Sequence, residues 1–297
     1  MSLTPPPLRR TSPRGPFAGF LPAFTWGLKL TVGRRKRIVI VSLIAIGVGL
    51  LAGWFAGHTE RGTALSQERT AFQLWQILHE AVLPFCAPLV ALTVVAGAFQ
   101  REVSERTLVF HLVRPIARRT LFLARFLAAV VVAIPVALLT PLAALWISGL
   151  PLPAHVYLSL VPTVGLGVLA VGSLTYLLSA WFKHGIVASL IYVFLLDSFL
   201  SEANGSMQRL STLHHMLSLH HRGTDAAFVA LSSQVGQESA LPIEGMDAAS
   251  VVFSTLEAKQ IPWMETGPAL LVLVGITVVA LALGAWKVSR RDYPLKD

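Results

Sequence analysis

Long apolar runs separated by short polar segments make up most of the chain. A helix rises about 1.5 Å per residue and a bilayer core is about 30 Å thick, so a helix of about 20 apolar residues can cross it. The pattern predicts an all-α membrane protein with six transmembrane helices. We place them at residues 38–57, 77–99, 121–148, 156–182, 186–200 and 269–286.

The polar segments divide the chain into four parts. Residues 1–37 combine a proline-rich basic tail with a helix, at about 17–32, that we expect to lie along the headgroups. Residues 38–200 hold the first five spans and a polar cytoplasmic connector at 100–120. Residues 201–265 are predicted to form a small extracytoplasmic subdomain, and residues 266–297 the sixth span with a cytoplasmic C-terminus.

Composition and charge agree with this organisation. Of the 297 residues, 54% are hydrophobic and 13% charged, which is too apolar for a soluble domain. The formal charge is +9, but the basic residues lie between the apolar runs and not in one patch, which disfavours nucleic-acid binding. With both termini inside, 19 of the 24 Lys and Arg residues are cytoplasmic. We predict a multi-pass protein of the inner (cytoplasmic) membrane, in contact with membrane lipid.

The sequence contains no motif that indicates an enzyme. His79 and Glu80 begin like the HExxH zinc motif, but the second histidine is missing, so we expect a residue pair at the outer interface. Cys86 is the single cysteine, which excludes a disulfide or a cysteine metal site. The chain has no GxxxxGK[ST] loop to hold the phosphates of ATP. We predict no catalytic residue, no metal site and no cofactor in this chain.

Two polar features near the predicted outer side leave alternatives open. The first is the pattern HHxxxxHH, formed by His214, His215, His220 and His221. One helix cannot bring all four to a single face and no cysteine or carboxylate completes a site, so we expect a polar helix face, with metal binding as the alternative. The second is Asp197, which we expect to be an interfacial residue in water, with a buried functional carboxylate as the alternative.

Glycines recur every four residues in the first predicted span. Gly49, Gly53 and Gly57 would line one face of that helix, where another backbone can approach closely. We predict that this face forms a dimer interface.

The connector between the second and third spans carries the most information about function. Residues 100–126 read QREVSERTLVFHLVRPIARRTLFLARF. Residues 103–112 can form a short helix with one apolar side, and Pro115 ends it because proline disfavours a helical residue before it. Three arginines that follow, Arg118, Arg119 and Arg125, are expected to reach phosphates or an acidic partner at the membrane surface.

At these residues the sequence resembles the permease subunits of the type 2 exporter class of ABC transporters. In that family an acidic residue, a Thr-Leu pair, a short apolar helix and P-x-x-R precede the third span. Arg106 stands where the family usually has glycine. The resemblance is carried by Glu102, Glu105, Thr107, Leu108, Leu112, Arg114, Pro115 and Arg118.

The resemblance implies the membrane subunit of an ATP-driven exporter. Such a subunit pairs with a second copy of itself or with a sister permease, and with separate ATP-binding cassette subunits that bind ATP and Mg. The connector would then be a coupling helix that seats against the ATPase. The coupling residues that the resemblance implies are Glu102, Glu105, Arg106, Thr107, Leu108, Arg114, Pro115 and Arg118.

The sequence leaves the cargo and two other functions open. The substrate of an exporter is not encoded in a recognisable motif, and lipid, drug, peptide or a polysaccharide-like molecule would all be compatible. The second alternative is a related membrane subunit that transmits force to an extracytoplasmic partner without transport. An ion-coupled secondary transporter is the third alternative, although the spans offer few ionisable residues for a relay.

Overall fold

The computed structural model describes residues 19–33, 35–57, 74–104, 117–149, 154–203, 205–222 and 264–290. These residues form helices and short turns, and no strand occurs among them. We number the helices α1 to α8 in chain order. They are α1 at Phe20–Gly33, α2 at Arg35–Gly57, α3 at 74–104, α4 at Arg118–Ser148, α5 at Ala154–Trp181, α6 at 185–202, α7 at 212–222 and α8 at Thr266–Arg290.

Five of these helices are long and apolar enough to cross a membrane, which confirms five of the predicted spans. They are α2, α3, α4, α5 and α8. The apolar helix at Gly185–Ser201, within α6, is shorter than these. It lies where we predicted the fifth span, at 186–200. Because it is shorter than the other five helices, a count of six spans stays a prediction.

Two π-helical segments interrupt α3 on either side of its prolines. Leu78–Val82 precedes Pro84, and Ala91–Ala96 follows Pro88. Proline has no backbone N–H and its ring crowds the preceding turn, so the hydrogen-bond ladder has to shift register nearby. The two prolines are therefore accommodated by wider turns within a continuous helix.

The largest apolar cluster among the described residues joins five helices. Buried side chains of α3, α4, α5, α7 and α8 form it, and Tyr176 and Phe122 are among them. α1 is fixed to the outside of this bundle, because its small residues Ala23 and Gly27 let it lie closely against α4. The helix that we predicted at 17–32 therefore packs on the protein, and its position along the headgroups stays a prediction.

Basic side chains collect at one end of the bundle, which we call the basic end. There α3, α5 and α8 end while α2, α4 and α6 begin. Its described basic residues are Lys36, Arg37, Arg101, Arg118, Arg119, Lys183, Lys287 and Arg290.

The chain between α6 and α8 begins inside the bundle at the opposite end. Met216 of α7 lies against Gly167 of α5, and Leu219 packs with Ala170 of α5 and Leu273 of α8. The described part of the predicted subdomain is thus integrated with the membrane-spanning helices. Residues 223–263, the rest of that predicted subdomain, lie outside the described residues.

Candidate functional site

Most predicted coupling residues lie outside the described residues. α3 extends to Ser104 and α4 begins at Arg118, so the structure defines the two ends of the connector and not its middle. Glu102 belongs to the last turn of α3, and Arg118 starts α4 with a partly exposed side chain. The predicted coupling helix and its contact with an ATPase stay predictions. Outside the described part of the chain lie Glu105, Arg106, Thr107, Leu108, Leu112, Arg114 and Pro115.

An aromatic cluster holds the two ends of the connector together. It consists of Phe99 of α3, Phe122 and Phe126 of α4, and Tyr176 of α5. The ring centroids of Phe99 and Phe122 are 5.6 Å apart in an edge-on arrangement, and Tyr176 lies 4.6 Å from Phe122 and 5.0 Å from Phe99. Edge-on and tilted rings at such distances attract each other beyond their burial. The cluster therefore links α3, α4 and α5 where the connector leaves and re-enters the bundle.

The last helix contacts the same cluster through a glycine. A β-carbon built on Gly284 of α8 would lie 2.5 Å from Cζ of Phe122, so only glycine lets α8 approach this ring. The side chain of Phe122 is 2% exposed. Four helices consequently meet at one aromatic side chain, two residues after the connector ends.

A second contact ties the connector to the turn between α5 and α6. Nε2 of Gln100 donates a hydrogen bond of 2.6 Å to the carbonyl oxygen of Lys183. Gly185, which opens α6, lies against the Gln100 amide and the backbone of Ser179, and a β-carbon there would be 2.8 Å from Oε1 of Gln100. The end of α3 is thereby joined to a turn more than eighty residues later in the sequence.

Arg125 does not reach the surface as we expected from the sequence. Its guanidinium lies over the ring of Trp26 at 3.9 Å from the centroid, and its residue is 6% exposed. Gly27 makes room for it, because a β-carbon there would be 3.0 Å from Cδ of Arg125. A cation on a tryptophan face contributes about 0.5–2 kcal/mol. Arg125 therefore fastens α1 to α4.

The histidines of α7 are buried, so the predicted polar helix face is wrong. His215 and His220 are no more than 1% exposed, and His214 and His221 are also buried. Burial, followed by the effect of His221, lowers the pKa of His220 to about 3. Burial, followed by the effects of His215 and Arg209, lowers the pKa of His214 to about 4. The imidazoles of His214 and His220 are therefore neutral at pH 7.

Two of these imidazoles meet the start of α3. The ring of His79 stacks on Trp75 at 4.8 Å between centroids and lies 5.8 Å from His220 and 6.4 Å from His221. We predicted that His79 and Glu80 lie together at the outer interface. His79 is 6% exposed, so this prediction is wrong for His79. Among the described residues, no group of three or more His, Cys, Asp or Glu side chains is arranged to hold a metal ion.

Asp197 is buried and orders the start of α7, so the expectation that it lies in water is wrong. Its carboxylate accepts two hydrogen bonds of 2.8 Å, one from the backbone N–H of Thr212 and one from the Thr212 hydroxyl. The Ser211 hydroxyl donates to the Asp197 carbonyl at 3.1 Å. Asp197 is 1% exposed. A carboxylate that binds the first N–H of a helix stabilises that helix end, so Asp197 joins α6 to α7.

The glycine face of α2 is used within the chain. A β-carbon on Gly49 would meet the Thr140 carbonyl of α4, and one on Gly53 would meet the Ala144 carbonyl. Close backbone approach is what the glycine spacing predicted, but the partner is α4 of the same chain and not a second copy. The prediction that Gly49 and Gly53 form a dimer interface is therefore wrong. Gly57 ends α2, and its surroundings lie outside the described residues.

The bundle, with five helices long and apolar enough to cross a membrane, is that of a polytopic membrane protein. A family model described as ABC-2 family transporter protein matches residues 30–293. The chain therefore belongs to the ABC-2 transporter family, whose members are membrane permease components that generally work with an ATP-binding cassette subunit. No curated protein matches the chain.

Proposed function

We propose that the chain is the membrane-spanning subunit of an ATP-driven exporter. A separate ATPase, which binds ATP and Mg, seats against the connector at 100–120. In this proposal the basic end and both termini face the cytoplasm, and the protein lies in the inner membrane. The cargo is a lipid, drug, peptide or polysaccharide-like molecule.

The observation that supports coupling most strongly is the aromatic cluster. Phe99 and Phe122 lie just outside the connector at 100–120, one residue before it and two residues after it, and their rings contact each other directly. Packed interiors deform little, so a displacement of the connector moves these rings and the helices that they touch together. Through Tyr176 and Gly284 the movement passes to α5 and α8.

A second link extends this movement to α6. The Gln100 amide holds the Lys183 carbonyl, and α6 starts two residues later. Asp197 then joins the other end of α6 to α7. A movement that starts at the connector thus has a continuous route through packed and hydrogen-bonded groups to the opposite end of the bundle.

Two permease subunits form the pathway in this proposal, either two copies of this chain or this chain and a sister permease. Because Gly49 and Gly53 are occupied by α4, the second subunit docks on another surface. Exporter function requires that ATP binding favours one arrangement of the helices over another.

Force transmission to an extracytoplasmic partner is the second candidate function. The burial of α7 among α3, α5 and α8 favours it, because movements of those helices reach the segment that follows His221. Ion-coupled transport has less support, since the buried carboxylate of Asp197 already serves as the cap of α7.

Partner binding is tested with the tagged full chain in native membranes. We expect an ATPase to co-purify with the intact chain and to be lost with Glu105→Arg, because the reversed charge lies on the proposed docking surface. Glu80→Arg, an exposed glutamate at the opposite end, is the matched control and retains the ATPase. If the intact, folded chain brings down no ATPase, the proposal is abandoned.

Transmission is tested separately with spin labels at the opposite end. In a Cys86→Ser background, Leu158→Cys on α5 and Leu271→Cys on α8 place labels at exposed positions. We expect ATP to change their separation in the intact complex, and Phe122→Ala to abolish the change while the ATPase remains bound. Phe85→Ala, an exposed aromatic residue of α3, keeps the change. A change that persists in Phe122→Ala excludes the aromatic cluster as the route.

A further inference from the structure

A groove opens at the basic end between α1, α2 and α3. Because α1 packs on α4, it stands away from the first turns of α2 and the last turns of α3. The groove has a volume of about 40 Å³. It is lined by Leu30 and Thr31 of α1, by Arg37, Ile38 and Val41 of α2, and by Thr93, Val94 and Ala98 of α3.

The walls of this groove are apolar even where their residues are not. The hydroxyl of Thr31 donates to the Gly27 carbonyl at 2.9 Å, and that of Thr93 to the Leu89 carbonyl at 2.8 Å. Both threonine hydroxyls therefore donate their hydrogen bonds within their own helices. The hydroxyl hydrogens of these threonines are therefore not available to an ordered water, and apart from Arg37 the other lining residues are apolar. An apolar chain suits them better.

One positive charge stands at this groove. Arg37 carries the only charge among the lining residues. Its guanidinium lies across the backbone of α3, since a β-carbon on Gly97 would be 2.7 Å from one terminal nitrogen and 3.0 Å from the other. Arginine presents five N–H donors in a planar fork, which matches the oxygens of a phosphate. A ligand with an apolar body and one phosphate group satisfies both features.

We propose that this groove binds one anionic phospholipid from the leaflet that faces the basic end. Its phosphate contacts the Arg37 guanidinium, and the start of an acyl chain lies against Ile38, Val41 and Val94. The site closes the gap between α1 and the first two spans. It is independent of the proposed export activity, because none of its residues belongs to the connector.

The experiment measures lipid retention by the purified full chain with native mass spectrometry. Phosphatidylglycerol and phosphatidylcholine are compared, with soluble glycerol phosphate as a competitor. We expect phosphatidylglycerol to be retained preferentially, and glycerol phosphate not to displace it, because the acyl chain contributes to binding. Equal retention of the two lipids, or displacement by glycerol phosphate, would overturn the assignment.

Two pairs of variants locate the lipid. Arg37→Gln removes the charge at the groove, and Lys36→Gln removes the neighbouring exposed charge as its control. Loss of any one surface charge weakens anionic-lipid binding about fivefold, so we expect about fivefold or less for Lys36→Gln and more than about tenfold for Arg37→Gln. Equal losses would mean general attraction to the surface and would overturn the proposal.

The second pair blocks the groove without changing charge. Thr93→Phe places a ring in the groove, whereas Leu89→Phe, one turn away, places it at an exposed position. We expect retention to fall in Thr93→Phe alone, at unchanged thermal stability in detergent. If Thr93→Phe unfolds the chain, the comparison of Arg37→Gln with Lys36→Gln decides the matter.

Discussion

Gly49 of α2 faces the carbonyl oxygen of Thr140 of α4 so closely that a β-carbon has no room between them. Ala143 stands on the same side, 2.9 Å from where that β-carbon would lie. The neighbour that blocks the space is backbone, which cannot rotate away as the end of a long side chain can. Close packing of α2 and α4 therefore depends on glycine at this position.

We expect Gly49→Ala to destabilise the protein by about 1–3 kcal/mol, because the two helices must separate to admit the methyl group. The measurement is thermal unfolding of the purified chain in detergent. Gly47→Ala is the matched control, since nothing lies within 4 Å of its β-carbon position and alanine favours a helix over glycine. Equal melting temperatures for the two variants would show that α2 and α4 are not in contact at Gly49.

The buried histidines make stability depend on pH. In the fold the pKa of His220 is lowered from 6.5 to about 3, so the unfolded chain binds more protons between these values. Stability is therefore greatest above about pH 6.5 and declines as the pH falls toward 3. The decline is at most about 1.4 kcal/mol per pH unit for each such histidine. His214, with a pKa of about 4, contributes in the same direction.

We expect the melting temperature to fall between pH 7.5 and pH 5, and to fall less in His220→Phe, which keeps a ring beside His79 but cannot be protonated. The quantity compared is the slope of the melting temperature against pH, because a general packing defect does not change that slope. An unchanged slope in His220→Phe would mean that this imidazole is not buried in its neutral form.

Loss of the Asp197 carboxylate is expected to loosen α7. Asp197→Ala removes the acceptor for both Thr212 groups, which costs about 1–3 kcal/mol because a buried N–H and a hydroxyl lose their partner. Hydrogen exchange of residues 212–222 should accelerate in the variant. Ser201→Ala is the control, since that hydroxyl bonds the Ser198 carbonyl in its own helix. Accelerated exchange in both variants, or in neither, would contradict the capping role.

The sequence predicted the long helices well because their lengths follow from the lengths of the apolar runs. The predicted third span ends at Ser148, as α4 does, where Gly149 adopts a left-handed conformation with φ of 66°. α8 begins at Thr266, three residues before the predicted start of the sixth span at 269, with Pro268 in its first turn. In these cases a local signal coincides with the end of an apolar run.

Which helices contact one another could not be predicted in the same way. A span that faces lipid on one side and protein on the other is apolar all round, so periodicity does not reveal which side is which. The glycine spacing indicated a close approach but could not distinguish α4 from a second copy. The roles of Phe122 and Gln100 were missed because an aromatic residue or a glutamine near a span end carries no motif.

Buried polar groups were misjudged for a related reason. Asp197 and His220 look like exposed residues in a polar stretch, since their neighbours in sequence are polar. Their burial depends on contacts with Thr212 and His79, which come from other helices. Only the tertiary structure brings such partners together, and a carboxylate or imidazole then becomes inexpensive to bury.

The position of α7 also determines when this helix becomes fully packed during biosynthesis. Leu219 packs against Ala269 and Leu273 of α8, which leaves the ribosome after α7. Until those residues arrive, the histidine-rich helix lacks part of its cover and stays accessible to proteases and chaperones. A nascent chain arrested just before Thr266 would therefore be a target for quality control, and insertion of α8 is the step that ends this exposure.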